Sequence, residues 1–331
     1  MRRRDFLAVC LIGSATGLPA CRSRKTGPFQ KLRLTAGRNL SMSSLFLTHE
    51  AGYFREAGFD LEILQMPNPL EAMTLLAGGK IDAAFTGLVT SLLNASLRKM
   101  PVRIVAGREI ASPTCGNMGT VYGLRRTFPG GLENPIVLKG KRVSAGPTVG
   151  FTHFALDAQL ESVGLTGDAV QSVNLPTSQA AAALIGGRID AAVLNVEFDQ
   201  NLMSRASEIV RGHGLAHYHP NFQCSHILFG ETLLSADPQI GARFLAAYFR
   251  GAQEFARGRS PRFMEEYARS GGLDPKLVAG ACRHSFVRDG AIDLHSLQLF
   301  VDWAVRRKYV PSPVDTAELT DFRFLRSLHE T

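Results

Sequence analysis

Two α/β lobes, each a mostly parallel sheet flanked by helices, joined by two hinge crossings, are what this sequence predicts. Three observations predict them. The stretch Gly78-Gly79-Lys80-Ile81-Asp82-Ala83-Ala84 returns 108 residues later as Gly186-Gly187-Arg188-Ile189-Asp190-Ala191-Ala192. In each copy an Ala/Leu-rich helical pattern runs into a Gly pair suited to a left-handed stop, then into a short apolar run, so one helix–turn–strand unit is used twice. Strands and helices alternate along most of the chain, which implies parallel sheets with right-handed crossovers. The length of 331 residues also exceeds the ~250–300 at which one core stops growing. A solenoid would need three or more copies at periods of about 20–50 residues, which two copies do not meet.

The elements follow in order. Residues 31–36 read as a strand, 43–57 as a helix, 60–65 as a strand and 69–77 as a helix. Segments 82–86, 89–97 and 102–106 continue the alternation. Pro, Gly and Asn then cluster at 112–117 and 128–134, which marks a boundary. The second lobe opens at Leu138-Lys139-Gly140-Lys141-Arg142-Val143 and runs through a helix at 151–163, a strand at 169–174, the repeat helix from 179, and a strand at 191–195. Pro67 and Pro176 precede the two repeat helices, extending the duplication backwards. After the His-rich loop 213–220, the chain is expected to cross back at 223–229 and finish on the first lobe with helices at 239–257, 261–269, 275–284 and 294–307. The expected division is lobe 1 at 30–115 and 223–331, and lobe 2 at 116–222.

The N-terminus reads as an export signal over residues 1–20. Arg3-Arg4-Asp5-Phe6-Leu7 precedes an apolar stretch at 8–18, far short of the ~20 residues that span a bilayer. The paired arginines resemble a twin-arginine signal, and Leu18-Pro19-Ala20-Cys21 resembles a bacterial lipobox with Cys21 as the acylated residue. Pro19 departs from the usual residue at its place. Removing residues 1–20 takes away three Arg and one Asp, so a formal charge of +8 becomes +6. The basic residues are scattered, which gives no footprint for nucleic acid. Beyond Cys21 stand Cys115, Cys224 and Cys282, too few for a disulfide framework. An exported chain permits one bridge, and Cys115 with Cys224 is the expected pair.

The run Gly52-Tyr53-Phe54-Arg55-Glu56-Ala57-Gly58-Phe59, the Gly-Lys-Ile-Asp-Ala-Ala turn, Leu138-Lys139-Gly140-Lys141, and the tail from Asp302-Trp303 to Asp321-Phe322-Arg323-Phe324 together resemble periplasmic solute-binding proteins of ABC importers. The similar branch is the one that binds sulfonates, taurine, nitrate or thiamine-related pyrimidines. The resemblance implies the type II binding-protein fold and a monomeric clamp that closes on a small solute. It further implies delivery to a membrane permease and its ATPase, with a lipid anchor as the only membrane contact. It implies no enzyme and no cofactor. A thiamine-pyrimidine synthase-like enzyme and a ligand-sensing domain share the architecture and stand as alternatives.

In open parallel sheets, ligands sit beyond the carboxyl ends of the strands, near helix N-termini with free N–H groups. Four segments meet that description. They are Ser41, Ser43 and Ser44; Thr86, Gly87 and Thr90; Thr148, Gly150, Phe151 and Thr152; and Asn195 with Glu197. Taken singly, each Ser or Thr reads first as an ordinary helix cap; taken together they are better explained as a site. A carboxylate at Glu197 in a closing cleft would repel an oxyanion and accept hydrogen bonds from an aminopyrimidine. At the start of the next helix, outside the cleft, the same Glu197 would only meet the helix dipole, and both placements stay open. No Gly-x-Ser-x-Gly elbow, phosphate loop or His-Glu-x-x-His zinc motif occurs. The histidines at 213, 217, 219 and 226 read as a solvated loop rather than a metal site.

Overall fold

The computed structural model describes residues 29–37, 39–65, 69–115, 118–194, 207–271, 274–280, 283 and 286–329. The export signal, Cys21, Asn195, Glu197 and Cys282 lie outside these. The described chain forms two five-stranded sheets flanked by helices. The first contains β1 (Gln30–Ala36), β2 (Phe59–Gln65), β3 (Ala83–Gly87), β4 (Arg103–Ile110) and, after the return crossing, β10 (Gln223–Phe229), in the order β2-β1-β3-β10-β4. The second contains β5 (Thr120–Leu124), β6 (Arg142–Ser144), β7 (Gln171–Ser172), β8 (Ala191–Leu194) and β9 (Ile209–Arg211), in the order β7-β6-β8-β5-β9. Each sheet carries one antiparallel strand between its neighbours, β10 in the first and β5 in the second. These are the strands that arrive from the other sheet. A strand entering from the shared end must run against strands that point toward it.

Where one helix is expected at 43–57, there are two, α1 (Ser43–Glu50) and α2 (Tyr53–Glu56), because Gly52 turns left-handed at φ 78° between them. Next come α3 (Pro69–Ala77), α4 (Thr90–Leu97), α5 (Phe151–Glu161), α6 (Thr177–Ile185) and the short α7 (Leu215–Tyr218). The late helices are α8 (Glu231–Leu234), α9 (Pro238–Ala256), α10 (Arg262–Gly271), α11 (Pro275–Ala279), α12 (Leu294–Arg306), α13 (Thr316–Leu319) and α14 (Arg323–His329).

The duplicated stretch is a matched pair of joints. Gly79 and Gly187 stop α3 and α6 at φ 65° and 68°, and the next N–H groups, of Lys80 and Arg188, turn back to Leu75 O and Ala183 O. The repeat aspartates then do the same task twice. Asp82 Oδ2 accepts from Arg33 N on β1 at 2.7 Å, and Asp190 Oδ2 accepts from Arg142 N on β6 at 2.8 Å. Asp190 also holds the Arg142 side chain at 2.9 Å, and that bond draws its carboxyl below the ordinary aspartate range. Both joints sit at the strand entrances, away from the ends that meet the other sheet.

One expectation is corrected here. Cys115 is disulfide-bonded, but Cys224 is free and buried, so the bridge between them does not exist. Cys115 lies in the crossing after β4, whereas Cys224 is already inside β10, where its thiol donates to Glu109 O at 3.5 Å. The partner of Cys115 is outside the described residues. Among the late helices, α9 packs on α1, α2 and α14, and α12 packs on both β10 of the first sheet and α5 of the second sheet's layer. One apolar core joins the first sheet (Ile104, Leu228) and its helix α3 (Leu76), α12 (Phe300, Trp303) and the second sheet's helix α5 (Phe154, Leu160).

Candidate functional site

The carboxyl ends of β1, β3 and β6 face the junction between the two sheets, and the helices that follow them begin there. At the base of this junction the two halves pair directly. Val89 and Gly150 form an antiparallel bridge; Thr90 N donates to Val149 O at 3.0 Å and Phe151 N to Leu88 O at 2.9 Å. The first N–H groups of a helix have no intrahelical acceptor, so here the starts of α4 and α5 satisfy each other's chains. Gly150 is required for this approach, since a Cβ there would lie 2.6 Å from Leu88 O. Gly87 permits the next contact, because a Cβ would meet the Phe151 ring at 2.9 Å.

The expected residues divide by what their polar groups already do. Thr90 Oγ1 donates to Val149 O at 3.2 Å and so helps to hold the junction, while Thr152 Oγ1 donates to Ala145 O and fixes the turn before α5. Ser44 Oγ meets Tyr248 OH at 3.0 Å, under α9. Ser43 Oγ is buried with no hydrogen-bond partner among the described residues, as is Ser144 Oγ at the end of β6. Thr148 and Ser41 are half-buried, and Thr86 is buried.

Sequence reasoning missed the group that ties these segments together. Arg108 is 1 % exposed, and its guanidinium donates to Ser41 O, to Ser225 Oγ at 2.9 Å, and to Glu109 Oε2 at 2.7 Å. Ser225 Oγ in turn donates to Thr86 O at 3.2 Å. A continuous path therefore runs from Ser41 through Arg108, Ser225 and Thr86 to Gly87, where the Phe151 ring of the other half arrives. A register shift between β10 and β4 at Ser225 brings neighbouring charges together where a regular strand would point them apart. The signal was present: Arg108-Glu109 is a charged pair inside the apolar run Ile104-Val105-Ala106 to Ile110-Ala111. Burial raises the Glu109 carboxyl, opposed by the Arg108 charge and the Ser225 hydroxyl.

The histidines are not one solvated loop. His226 is 1 % exposed, with burial lowering it to about 3, and His153 at the start of α5 is lowered to about 4 by burial. Both are neutral at pH 7. His213 and His217 do lie near the surface, stacked at 3.9 Å beside a cavity of about 540 Å³ between the two crossings. Burial raises the Cys224 thiol, so it is not a thiolate nucleophile. Among the described residues no group of three or more His, Cys, Asp or Glu could hold a metal ion. Also among them, no helix is long and apolar enough to cross a membrane.

Comparison with known proteins agrees with this geometry. The fold is similar to the alkanesulfonate-binding protein SsuA of Xanthomonas axonopodis bound to MOPS, with a TM-score of 0.73 at 18% identity over 89% of this chain and 99% of that one. It is also similar to the periplasmic nitrate-binding protein NrtA of Synechocystis, with a TM-score of 0.69 at 13% identity over 91% and 89%. These likenesses establish the architecture of periplasmic binding proteins. In sequence, the chain is 27% identical over 277 residues to an Aspergillus parasiticus protein named 4-amino-5-hydroxymethyl-2-methylpyrimidine phosphate synthase, covering 80% of this chain and 77% of the relative. The family model described as NMT1/THI5 like matches residues 39–258, well over half of the chain, and the chain therefore belongs to the NMT1/THI5-like family.

Proposed function

We propose that this protein is an extracytoplasmic solute-binding lipoprotein that clamps an aminopyrimidine of the thiamine type and hands it to an ABC permease. The observation that carries the reading is the junction itself: hydroxyl-bearing strand ends of one sheet meet the start of α5 from the other, in a binding-protein fold whose curated relative is named for a pyrimidine. Lobe 1 would comprise residues 30–115 and 223–331, and lobe 2 residues 116–222. Ligand would touch Ser41, Ser43, Thr86 and Gly87 from the first, and Thr148, Phe151, Asn195 and Glu197 from the second. The Arg108 charge is already spent on Glu109 inside lobe 1. What the described wall offers is hydroxyl and aromatic surface, which suits a flat neutral heterocycle better than a sulfonate or nitrate.

The test is calorimetric titration with 4-amino-5-hydroxymethyl-2-methylpyrimidine, its phosphate, a short alkanesulfonate and nitrate. A ligand at 100 times its Kd adds about 2.7 kcal/mol of stability, so a thermal shift reads the same order of preference. Binding of the sulfonate or nitrate with no response to either pyrimidine would overturn the ligand class. The name of the Aspergillus relative favours one other reading, a pyrimidine phosphate synthase. Release of that phosphate by the purified protein, followed by mass spectrometry, would establish it in place of the clamp. Export and anchoring are tested by Cys21→Ser, which should move the chain from the membrane fraction to the soluble one. A wild-type chain already soluble with residues 1–20 attached would remove the lipoprotein claim.

A further inference from the structure

Helix α12 is fastened to the first sheet at its start and to helix α5 of the second sheet's layer at its end. At its start, Asp293 caps the helix by accepting from His295 N and Ser296 N at 3.0 and 3.3 Å. The same turn is tied to the first residue of β10: Gln223 N donates to Ser296 Oγ at 2.9 Å, and Asp293 N donates to Gln223 Oε1 at 3.0 Å. At its other end, the partners belong to α5 and the turn after it. Trp303 Nε1 donates to Asp157 Oδ2 at 2.8 Å, Arg307 Nε lies 3.0 Å from the same oxygen, and Arg307 also pairs with Asp168 at 3.1 Å. Arg306 reaches Glu161 at 2.9 Å. Gly167 packs against this knot so closely that a Cβ would collide with both Asp157 and Arg307.

Between the two ends the helix is wedged by aromatic rings. Phe300 and Trp303 meet Phe154 of α5 edge-on at 6.3 and 5.7 Å, and Phe154 stacks at 4.6 Å on Phe222 of the return crossing. Trp303 and Asp157 are 1 % and 4 % exposed. A carboxylate buried to this degree is costly unless its bonds are made, so the Trp303 N–H and the Arg307 charge belong to the folded geometry rather than to chance.

We propose that α12 is a strut across the hinge, and that Asp157, Trp303 and Arg307 are positioning residues for the cleft. The hydrogen bonds and ion pairs named above join them to one another and to Asp168, not to the residues proposed to touch ligand. Asp157 lies six residues along α5 from Phe151, about 9 Å at 1.5 Å per residue, and α5 is the helix whose start meets Leu88 and Gly87. Holding α5 at Asp157 therefore sets how Phe151 approaches the first lobe. The angle between the lobes is then held by the two covalent crossings, by the Val89–Gly150 pairing at the base of the junction, and by this strut. The consequence for binding rests on the clamp reading above; the mechanical claim does not.

The experiment measures lobe separation directly. Glu71→Cys and Gln179→Cys place spin labels on exposed, equivalent first turns of α3 and α6, one on each sheet's helical layer, while the buried Cys224 is shielded from labelling. Distances are recorded by double electron–electron resonance without ligand, in the otherwise wild-type chain and with Trp303→Phe or Asp157→Asn added. Trp303→Phe keeps an aromatic ring but loses the N–H donor and part of the indole volume, whereas Asp157→Asn keeps the size of the side chain and changes only its charge and bonding. Both variants should retain the wild-type circular dichroism and cooperative melting, while their distance distributions move or broaden. Distributions that superimpose on wild type in both would overturn the strut. Should Asp157→Asn fail to fold, Arg307→Gln takes its place under the same criterion. In the same proteins, 4-amino-5-hydroxymethyl-2-methylpyrimidine should bind roughly fivefold more weakly, the effect of one buried hydrogen bond of about 1 kcal/mol. A changed distance with no binding of this probe to any chain would uphold the strut and remove the ligand reading.

Discussion

Acid should cost this protein stability through His226, and the structure allows the amount to be worked out. Gln223 Nε2 donates to Ala291 O and its Oε1 accepts from Asp293 N, so it is the amide oxygen that faces the ring. His226 Nε2 must therefore carry the hydrogen in its 2.9 Å contact with Gln223 Oε1, and Nδ1 is an unprotonated nitrogen with no partner among the described residues. Burial, with the nearby Arg108 charge adding to it and Asp293 opposing, lowers the group from 6.5 to about 3. A depressed histidine contributes stability above its unfolded value that is lost as pH falls toward the folded one. The window is pH 6.5 to about 3. Between pH 7 and 5 the loss is about 2 kcal/mol, at 1.36 kcal/mol per pH unit below 6.5. Glu109 and Asp157 are both raised by burial and act in the opposite direction, so the measurement has to be a difference. His226→Gln can donate to the same Gln223 oxygen and does not titrate. Urea unfolding of both chains at pH 7 and pH 5 should show wild type losing about 2 kcal/mol relative to His226→Gln. A stability difference unchanged between the two pH values would refute the placement of a neutral, buried imidazole.

Three further outcomes are expected. Asp82→Ala and Asp190→Ala should each lower unfolding stability by about 1.5–3 kcal/mol, as hydrogen bonds to a charged group, without changing ligand affinity; a selective loss of affinity would mean that the repeat belongs to the site. Gly87→Ala must displace the Phe151 ring and should weaken ligand binding measured by calorimetry, at an overpacking cost of about 1–3 kcal/mol; unaltered affinity would place the ligand elsewhere. Ser225→Ala cuts the link from Arg108 to Thr86 and should cost about 1–3 kcal/mol of thermal stability for the unpartnered guanidinium N–H; a neutral result would show that the Arg108 network is dispensable.

The repeat, the alternation and the two crossings were legible because they are local. A glycine pair that ends a helix, or a strand buried on both faces, leaves its mark within a dozen residues, and the duplication makes the same mark twice. The repeat aspartates were visible as part of that mark, but their task was not. Only the pairing of β3 with β1 and of β8 with β6 shows that each caps a neighbouring strand. The serine and threonine candidates were found from the rule that strand ends meet helix starts. Whether a given hydroxyl faces the cleft or a carbonyl is set by the packed backbone around it: Thr90 meets Val149 O of the opposing half, and Thr152 meets Ala145 O of its own. Cys224 went astray for a similar reason: counting thiols cannot tell a crossing from the strand that follows it.

What the sequence by itself determined, then, is the lobed α/β architecture and the segments from which a site could be built, since propensity, capping and apolar periodicity act over short distances. Tertiary structure alone decided the joins that set charge and angle. Arg108 meets Ser41 across 67 positions, and Asp157 meets Trp303 across 146. No pattern in the chain announces such pairs. Each exists because a buried charge or indole N–H must find a partner once the surrounding apolar surface has excluded water, and which partner it finds is fixed by packing between distant segments.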